Sequence, residues 1–487
     1  MPFWTSPWLP LTDLPLHLGA ASVLRHHADP RWGFAEHFVV EWSEPTPYWA
    51  LYLALDALSL ALPVETAARV YLSLLALAFP FAAVHFCRAF GGRAGTGLLA
   101  APLFLGTCLY FGFVAYVTGI ALALAGLALV EDERRAPRAG RAALLSLTAV
   151  VLFFTHAQAF ALFLAAAVLG VLIARPRAPR ALLPLLPGAA LLAAWTWAQF
   201  VGARTSAAGR YNFGPLGRTG ARFRSPGESL AGLPDALAGS FRDGTDVVLL
   251  AAWAGLMAAL CLRHGSTGER ARRAALPLLA LAAYFCAPFA VTGQWYIAPR
   301  FALPAALFAL LLVPASAPPR AAAAAALLLT ALASANAVRQ HRLFAREAAG
   351  FEDVIAALPA RPRVLGLIGD PDGRVMTHWP YAHFAQYAMV RKGGVASRSL
   401  ATSPPFPLHH PRPADYAAPD VFRPRDFDPA THGRLWELAV VRGDPPPALP
   451  RVATLLARAG TWSLWRLGVS PGPGASATPR AASPPPS

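Results

Sequence analysis

Near the start of the chain, a carboxylate and an imidazole are spaced so that they could act on one substrate. The string TDLPLHL at 12–18 places Asp13 and His17 four residues apart, with Pro15 between them. Proline suits the first turn of a helix, and side chains at i and i+4 lie on one helix face. The carboxylate could act as a general base or bind a metal, and the histidine could hold substrate or share the proton. The alternative is that Asp13 only caps the helix.

Other polar and aromatic candidates lie in short turns between apolar segments. Arg300 begins an apolar segment, where its guanidinium could bind a phosphate through two parallel hydrogen bonds. It could equally be an interfacial anchor. Five more side chains could line the same site, although His156 could instead be a hydrogen-bonded structural histidine: Tyr110, Tyr116, His156, Trp295 and Tyr296.

The composition indicates a protein that spans a membrane many times. Of 487 residues, 56% are hydrophobic and 14% are charged, and the mean hydropathy is +0.44. A soluble chain carries about 25% charged residues. The net charge of +16 comes from arginines clustered between apolar blocks, so it argues for membrane topology and against nucleic-acid binding.

Apolar segments long enough for helices predict about ten membrane helices. The runs 97–130 and 142–174 are too long for one crossing of a core about 30 Å thick, so each must break, near Gly112 and near His156. The segment 48–62 contains Asp56 and is predicted to be an interfacial helix. The predicted helices are 67–90, 97–110, 117–130, 142–155, 158–174, 181–203, 246–262, 274–292, 301–313 and 321–338.

The arginines predict the orientation of the helices. One set of connections is rich in arginine, and the alternate short connections are nearly free of it, so the rich set is predicted to be cytoplasmic. Residues 1–46, the loop 204–245 and the chain after about 339 then lie outside. Because an outer N-terminus needs a preceding helix to carry it there, we expect one upstream of Met1. The cytoplasmic set holds Arg88, Arg93, Arg134, Arg135, Arg138, Arg141, Arg175, Arg177, Arg180, Arg263, Arg270, Arg272 and Arg273.

Four regions follow from this organisation. They are an outer loop over 1–46, a helix bundle over 47–338, an exoplasmic α/β domain over 339–467 and a disordered tail over 468–487. Within the α/β domain, the sequence predicts strands at 363–369, 436–441 and 461–467. It predicts helices at 344–358, 380–391 and 451–459.

These features together resemble the GT-C superfamily of membrane glycosyltransferases. The string from Asp13 to His17 is similar to a D-x-P-x-H string in bacterial members, and an interfacial helix, broken helix pairs and an outer α/β tail match the same architecture. The resemblance implies an all-α polytopic membrane bundle with a small C-terminal exoplasmic α/β domain, in a bacterial inner membrane. A second acidic residue, present in the next outer turn of some members, is missing from 110–116.

The resemblance also implies an activity. Such enzymes transfer a hexosyl or pentosyl group, with inversion, from a polyprenyl-phosphate-linked donor to a glycan, lipid or protein acceptor. Asp13 and His17 would be catalytic, and Arg300 would bind the donor phosphate. No cofactor is required by the pattern, and a divalent metal has weak support without the second acidic residue.

Two motifs in the C-terminal region have more than one interpretation, and two other protein classes remain as alternatives to a glycosyltransferase. Asp370 and Asp372 form a DxD string, but the following Gly373 favours a turn. His378 and His383 lie in an aromatic stretch and could line a sugar site. A transporter or flippase would require an internal repeat and charges at mid-membrane, which the sequence lacks. A non-catalytic scaffold would keep the topology without the chemistry.

Overall fold

A computed structural model describes residues 1–42, 45–174, 176–198, 220–262, 267–291, 294–314, 319–402 and 406–468. Arg175, Arg263 and the tail from 469 lie outside these residues. The predictions made for them therefore stay predictions.

Two helices precede the bundle on the side where Asp13 lies. Helix α1 follows Asp13, carries Pro15 in its first turn and is buried along nearly its whole length. Helix α2 packs against it, in the segment predicted to be an interfacial helix. A two-residue strand, β1, lies between them. The bounds are α1 Leu14–His26, β1 Val39–Val40 and α2 Trp49–Ser59.

The bundle consists of helices broken by short 3-10 segments. Three of its helices are long and apolar enough, among the described residues, to cross a membrane: α3, α6 and α15. The number of crossings, about ten, stays a prediction. The bounds are α3 Val64–Ala89, α4 Ala94–Gly97, α5 Thr107–Tyr110, α6 Val114–Arg135, α7 Ala139–Thr155, α8 Ala157–Ile173, α9 Leu186–Trp197, α10 Pro226–Ala231, α11 Leu233–Leu237, α12 Thr245–Cys261, α13 Thr267–Cys286, β2 Ala290–Val291, β3 Gln294–Trp295, α14 Ala302–Ala309 and α15 Pro319–Glu347.

Both predicted breaks are present. The chain turns at Gly112, which has a φ of +87°, between α5 and α6. His156 has an extended backbone (φ −166°, ψ 119°) between α7 and α8. Each break lets two apolar segments pack side by side, as the thickness of a bilayer requires.

The C-terminal region is a small α/β unit with a five-stranded sheet. The strand order is β5-β4-β7-β9-β8, in which β4 pairs in parallel with β5 and β7, and the last three strands are antiparallel. The strand β6 pairs outside this sheet, with β1. The bounds are α16 Phe351–Ala356, β4 Arg363–Ile368, α17 Tyr387–Lys392, β5 Val395–Ala396, β6 Leu408–His409, α18 Pro429–Leu435, β7 Leu438–Arg442, α19 Leu449–Val452, β8 Ala453–Ala459 and β9 Trp462–Leu467.

The predicted helix at 451–459 is wrong, because most of this segment is the edge strand β8. Its alanines and leucines favour a helix by propensity. Gly460, with a φ of +57°, instead turns the chain so that β8 pairs along β9. Pairing with a buried neighbouring strand therefore overrides the local preference.

The three segments predicted to lie outside contact one another. Strand β1 from the N-terminal segment pairs with β6, and the amide of Gly394 donates to the carbonyl of Trp32 at 2.8 Å. The amide of Thr377 donates to the carbonyl of Ser240, from the loop 204–245, at 3.0 Å. These segments consequently share one face of the bundle, as the arginine pattern requires.

Candidate active site

Asp13 occupies the N-cap position of α1 without using its side chain as a cap. The helix has no side-chain capping hydrogen bond. Backbone bonds hold the residue instead: its amide donates to the carbonyl of Phe111 at 3.2 Å, and the amide of Thr12 donates to the carbonyl of Tyr110 at 3.0 Å. The backbone of Asp13 is therefore fixed and its carboxylate is free for another task, which argues against the capping interpretation.

An ionisable side chain from the C-terminal domain lies beside Asp13. The Nε2 atom of His383 lies 3.6 Å from the Oδ1 atom of Asp13, and the two side chains are 18% and 29% exposed. His383 sits just before a 3-10 turn at Phe384–Gln386, which packs against α1. The N-terminal segment and the C-terminal domain thus build this pair together.

Burial changes the ionisation of both side chains. Removal from water raises the pKa of Asp13 to about 7, and the nearby charge of Arg300 opposes part of this rise. Burial lowers the pKa of His383 to about 4, so the imidazole is neutral at pH 7. A carboxylate with a pKa near the working pH has the acidity expected of a general base.

Replacing Gly112 with alanine is expected to distort the Asp13 backbone. An added Cβ would lie 2.5 Å from the amide nitrogen of Asp13, and a φ of +87° costs about 1–2 kcal/mol for a residue with a side chain. We expect a lower Tm and a lower yield of folded protein in detergent. The control Gly170→Ala has nothing within 4 Å of its new Cβ and should fold normally. Equal Tm values for the two variants would contradict the close packing of the turn on Asp13.

Arg300 lies close enough to act on the charge of Asp13, and several contacts fix it. Its guanidinium carbon lies 3.9 Å from the centre of the Phe113 ring, and its Nη2 donates to the carbonyl of Trp295 at 3.1 Å. Its Nη1 reaches the Oε1 atom of Gln158 at 3.4 Å. The buried Nε has no hydrogen-bond partner. One donor of the guanidinium is therefore left without an acceptor from the described residues.

His17 and His156 each pack against tyrosine rings near the carboxylate. The Nδ1 of His17 is 2.9 Å from the hydroxyl of Tyr52, and its ring is 8% exposed. His156 packs edge-on against Tyr48 and Tyr116, and its buried Nδ1 has no partner. Burial lowers the pKa of His17 to about 4, so this ring is neutral at pH 7.

The aromatic residues predicted to bind substrate take different places. Tyr110 is buried, and its hydroxyl lies 3.2 Å from the Nε2 of His341, so its side chain faces the core. Only its carbonyl contributes near Asp13, by accepting from the amide of Thr12. Tyr116 is also buried, and its hydroxyl donates to the carbonyl of Arg300 at 2.9 Å. Tyr296 packs against Phe111 and Phe289, whereas Trp295 is 57% exposed. Substrate contact by the Tyr110 ring is thus not supported.

Each aspartate of the DxD string forms an ion pair, Asp370 within the C-terminal domain and Asp372 with the loop 204–245. Asp370 pairs with the buried Arg442, and Asp372 lies 3.6 Å from Arg242. Across the described residues, no cluster of three or more histidine, cysteine or acidic side chains could hold a metal ion. Asp13 and His383 alone would leave most of the coordination of a cation to substrate and water.

The chain was compared with known proteins by sequence and by structure. No family model and no curated protein matches the sequence. The structure is similar to that of ArnT from Cupriavidus metallidurans in the apo state, with a TM-score of 0.55, 13% identity, and coverage of 93% of this chain and 92% of ArnT. A mutant of the mycobacterial arabinofuranosyltransferase AftD gives a TM-score of 0.49 and 17% identity over 96% of this chain and 41% of AftD.

The likeness to ArnT extends over nearly the full length of both chains, so it includes the bundle and the C-terminal domain together. It confirms a helix-rich bundle with a small sheet-containing region. The number of membrane helices and the side on which the C-terminal domain lies stay predictions. The chain has the same fold as ArnT.

Proposed function

We propose that this chain is a membrane glycosyltransferase that transfers a sugar from a polyprenyl-phosphate donor, with Asp13 as the general base. The observation that carries the proposal is the placement of Asp13. Its carboxylate makes no capping bond, lies beside His383, and is within electrostatic reach of Arg300. A base and a phosphate-binding cation therefore meet on the face where the N-terminal segment and the C-terminal domain join.

The reaction can be written as one displacement. Asp13 takes the proton of an acceptor hydroxyl while the acceptor oxygen bonds to the anomeric carbon. The bond from that carbon to the phosphate oxygen breaks, and its electron pair leaves with the polyprenyl phosphate. A single displacement inverts the anomeric carbon. The sugar, a hexosyl or pentosyl group, goes to a glycan, lipid or protein acceptor.

Arg300 is proposed to hold the phosphate of the donor. Charge grows on the leaving phosphate during the displacement, and a fixed guanidinium stabilises that charge. Phe113 and the bond from Tyr116 to the Arg300 carbonyl fix the arginine before substrate binds. His156 and Gln158, at the start of α8, lie on the same side of the site.

His383 is proposed to position the carboxylate of Asp13. At 3.6 Å the contact is too long for a strong hydrogen bond, and such contacts commonly tighten when substrate binds. A neutral imidazole that donates its Nε2–H would favour the ionised carboxylate. His17 is less suited to position the carboxylate of Asp13, because its Nδ1 is hydrogen-bonded to Tyr52.

The pH dependence of the reaction tests this arrangement. The base works when it is ionised, so the transfer rate should rise with pH, with a midpoint about the pKa of Asp13, near 7. In His383→Ala the lost donor should move the midpoint upward and lower the rate by about tenfold or more. His383→Gln keeps an N–H donor, so it should restore part of the rate and return the pH midpoint part of the way to that of the wild type.

A matched control uses the neighbouring histidine. The Nδ1 of His378 is bonded to Thr377 at 2.7 Å, so His378→Gln should leave the midpoint unchanged. Identical midpoints for His383→Ala and the wild type would show that His383 does not act through the carboxylate.

The proposed orientation places Asp13 and the C-terminal domain on the outer face of a bacterial inner membrane. A thiol probe that cannot cross the membrane should label Leu230→Cys and Phe422→Cys in intact cells, since both side chains are more than half exposed. Arg138→Cys should be labelled only after permeabilisation. A background without native cysteines is needed, because Cys286 is exposed. Labelling of position 138 in intact cells would reverse the orientation.

The proposed activity is tested with purified protein in proteoliposomes and a panel of polyprenyl-phosphate-linked sugars. We expect release of polyprenyl phosphate from at least one donor when acceptor lipids or glycans of the envelope are supplied. Release that is equal in the wild type and in Asp13→Asn would contradict the proposal and favour the scaffold or transporter interpretation.

A further inference from the structure

A second polar cavity lies at the opposite end of the bundle from Asp13. It has a volume of about 390 Å³, within the range of small-molecule sites. It opens between the last turns of α3 and α6. Its polar lining consists of His85, Arg88, Asp132 and Arg135.

The cavity and Asp13 are separated by the length of α6. This helix begins just after the turn that holds Asp13 and ends at Arg135, 22 residues later. At 1.5 Å per residue that is about 33 Å, close to the thickness of the hydrocarbon core. The cavity therefore lies at the other membrane surface, among the arginine-rich connections.

An exposed apolar stripe on α3 leads to this cavity. Leu74, Leu77 and Phe81 are 57%, 52% and 68% exposed, and their spacing of three and four residues puts them on one helix face. Continuing along that face, His85 and Arg88 follow in the next two turns. The face thus changes from apolar to polar where hydrocarbon gives way to headgroups.

The charged side chains of the cavity include both signs. Neither the Arg88 nor the His85 side chain forms a hydrogen bond or ion pair with another residue that the structure describes, and the same holds for the carboxylate of Asp132. Arg135 pairs with Glu131 at 2.9 Å but keeps an exposed side chain. The cavity therefore offers donors for an anion and a separate acceptor for a cation.

We propose that this cavity binds the headgroup of a phospholipid that carries both a phosphate and a primary ammonium, as phosphatidylethanolamine does. Arg88 and Arg135 would bind the phosphate, and Asp132 would accept hydrogen bonds from the ammonium. An acyl chain would lie along Leu74, Leu77 and Phe81.

This headgroup suits the cavity better than its alternatives. A purely anionic headgroup such as phosphatidylglycerol would leave Asp132 unpaired and would be repelled by it. The trimethylated ammonium of phosphatidylcholine has no N–H to donate. Soluble glycerophosphoethanolamine, also a phosphate diester, carries the same charges but gains nothing from the apolar stripe, so the stripe favours the lipid.

The test is lipid retention by the purified full chain, measured by native mass spectrometry and by thermal shift. Phosphatidylethanolamine, phosphatidylglycerol and phosphatidylcholine are added separately to detergent micelles. We expect wild type to retain phosphatidylethanolamine best. Arg88→Ala should weaken its retention about fivefold, the effect of roughly one surface arginine on lipid binding.

Two further variants distinguish binding in the cavity from a general electrostatic attraction of lipids to the protein surface. Asp132→Asn should abolish the preference for phosphatidylethanolamine over phosphatidylglycerol without loss of folding. Arg138→Ala removes an exposed arginine of the same face outside the cavity and should change retention little. Equal effects of Arg88→Ala and Arg138→Ala, or no preference among the lipids in wild type, would overturn the proposal. Stabilisation by soluble glycerophosphoethanolamine equal to that by the lipid would overturn the lipid assignment.

Discussion

Asp13→Asn is expected to reduce sugar transfer by about 10²–10⁴, the usual contribution of a positioned base. Asparagine keeps the volume of the side chain and removes its ability to accept the acceptor proton. The backbone bonds to Phe111 and Tyr110 do not depend on the carboxylate, so the turn should keep its geometry. The measurement is the rate of polyprenyl phosphate release in proteoliposomes.

The Tm of Asp13→Asn distinguishes a loss of catalysis from a loss of folding. The folded-state pKa of Asp13, about 7, lies above the ordinary value of 3.8, so the folded state binds more protons between these values. Ionisation of Asp13 therefore lowers stability as pH rises through this window. Asp13→Asn, which never ionises, should have a Tm at pH 8 equal to or above that of wild type. A lower Tm would mean that the side chain is structural.

Asp56→Asn is the matched control for this experiment. Asp56 lies in α2, which packs against α1, and its carboxylate is 3.9 Å from Arg25, at the opposite end of α1 from Asp13, in a partly exposed pair. Such pairs contribute about 0–1 kcal/mol. This variant should transfer sugar at close to the wild-type rate. Equal losses in both variants would indicate a general effect of charge at this surface.

The sequence was most informative where local rules decide the structure. The length of apolar runs located both breaks, and the proline after Asp13 located the start of α1. Strand β8 was misjudged because its partner β9 decides its conformation, and no local preference reports that pairing.

The partner of Asp13 could not be found from spacing. The i+4 rule selects His17, but the first turn of α1 directs that ring to Tyr52. His383 reaches Asp13 only because its 3-10 turn packs on α1, and the two residues are far apart in the sequence. The aromatic stretch at 379–384 was the available signal, and it indicated a site without indicating this contact.

Replacing Arg300 with lysine is expected to lower the transfer rate, and replacing it with alanine should lower it further, by about 10²–10³. Lysine keeps the charge but lacks the planar fork and cannot stack on Phe113 in the same way. If Arg300 stabilises charge that grows on the leaving phosphate, the loss should appear mainly in kcat. The pH midpoint should also rise in Arg300→Ala, because the arginine lowers the pKa of Asp13.

Arg224→Lys provides the control for stacking. Arg224 lies 4.1 Å from the centre of the Phe289 ring, in a similar arrangement, but its charge does not act on Asp13. This variant should keep both the rate and the pH midpoint of wild type. If Arg300→Ala raised KM alone, with kcat and the midpoint unchanged, the arginine would bind donor without stabilising the departing phosphate. In that case the charge on the leaving group would have to be balanced by another part of the site, and the proposed role of Arg300 in the displacement would be wrong.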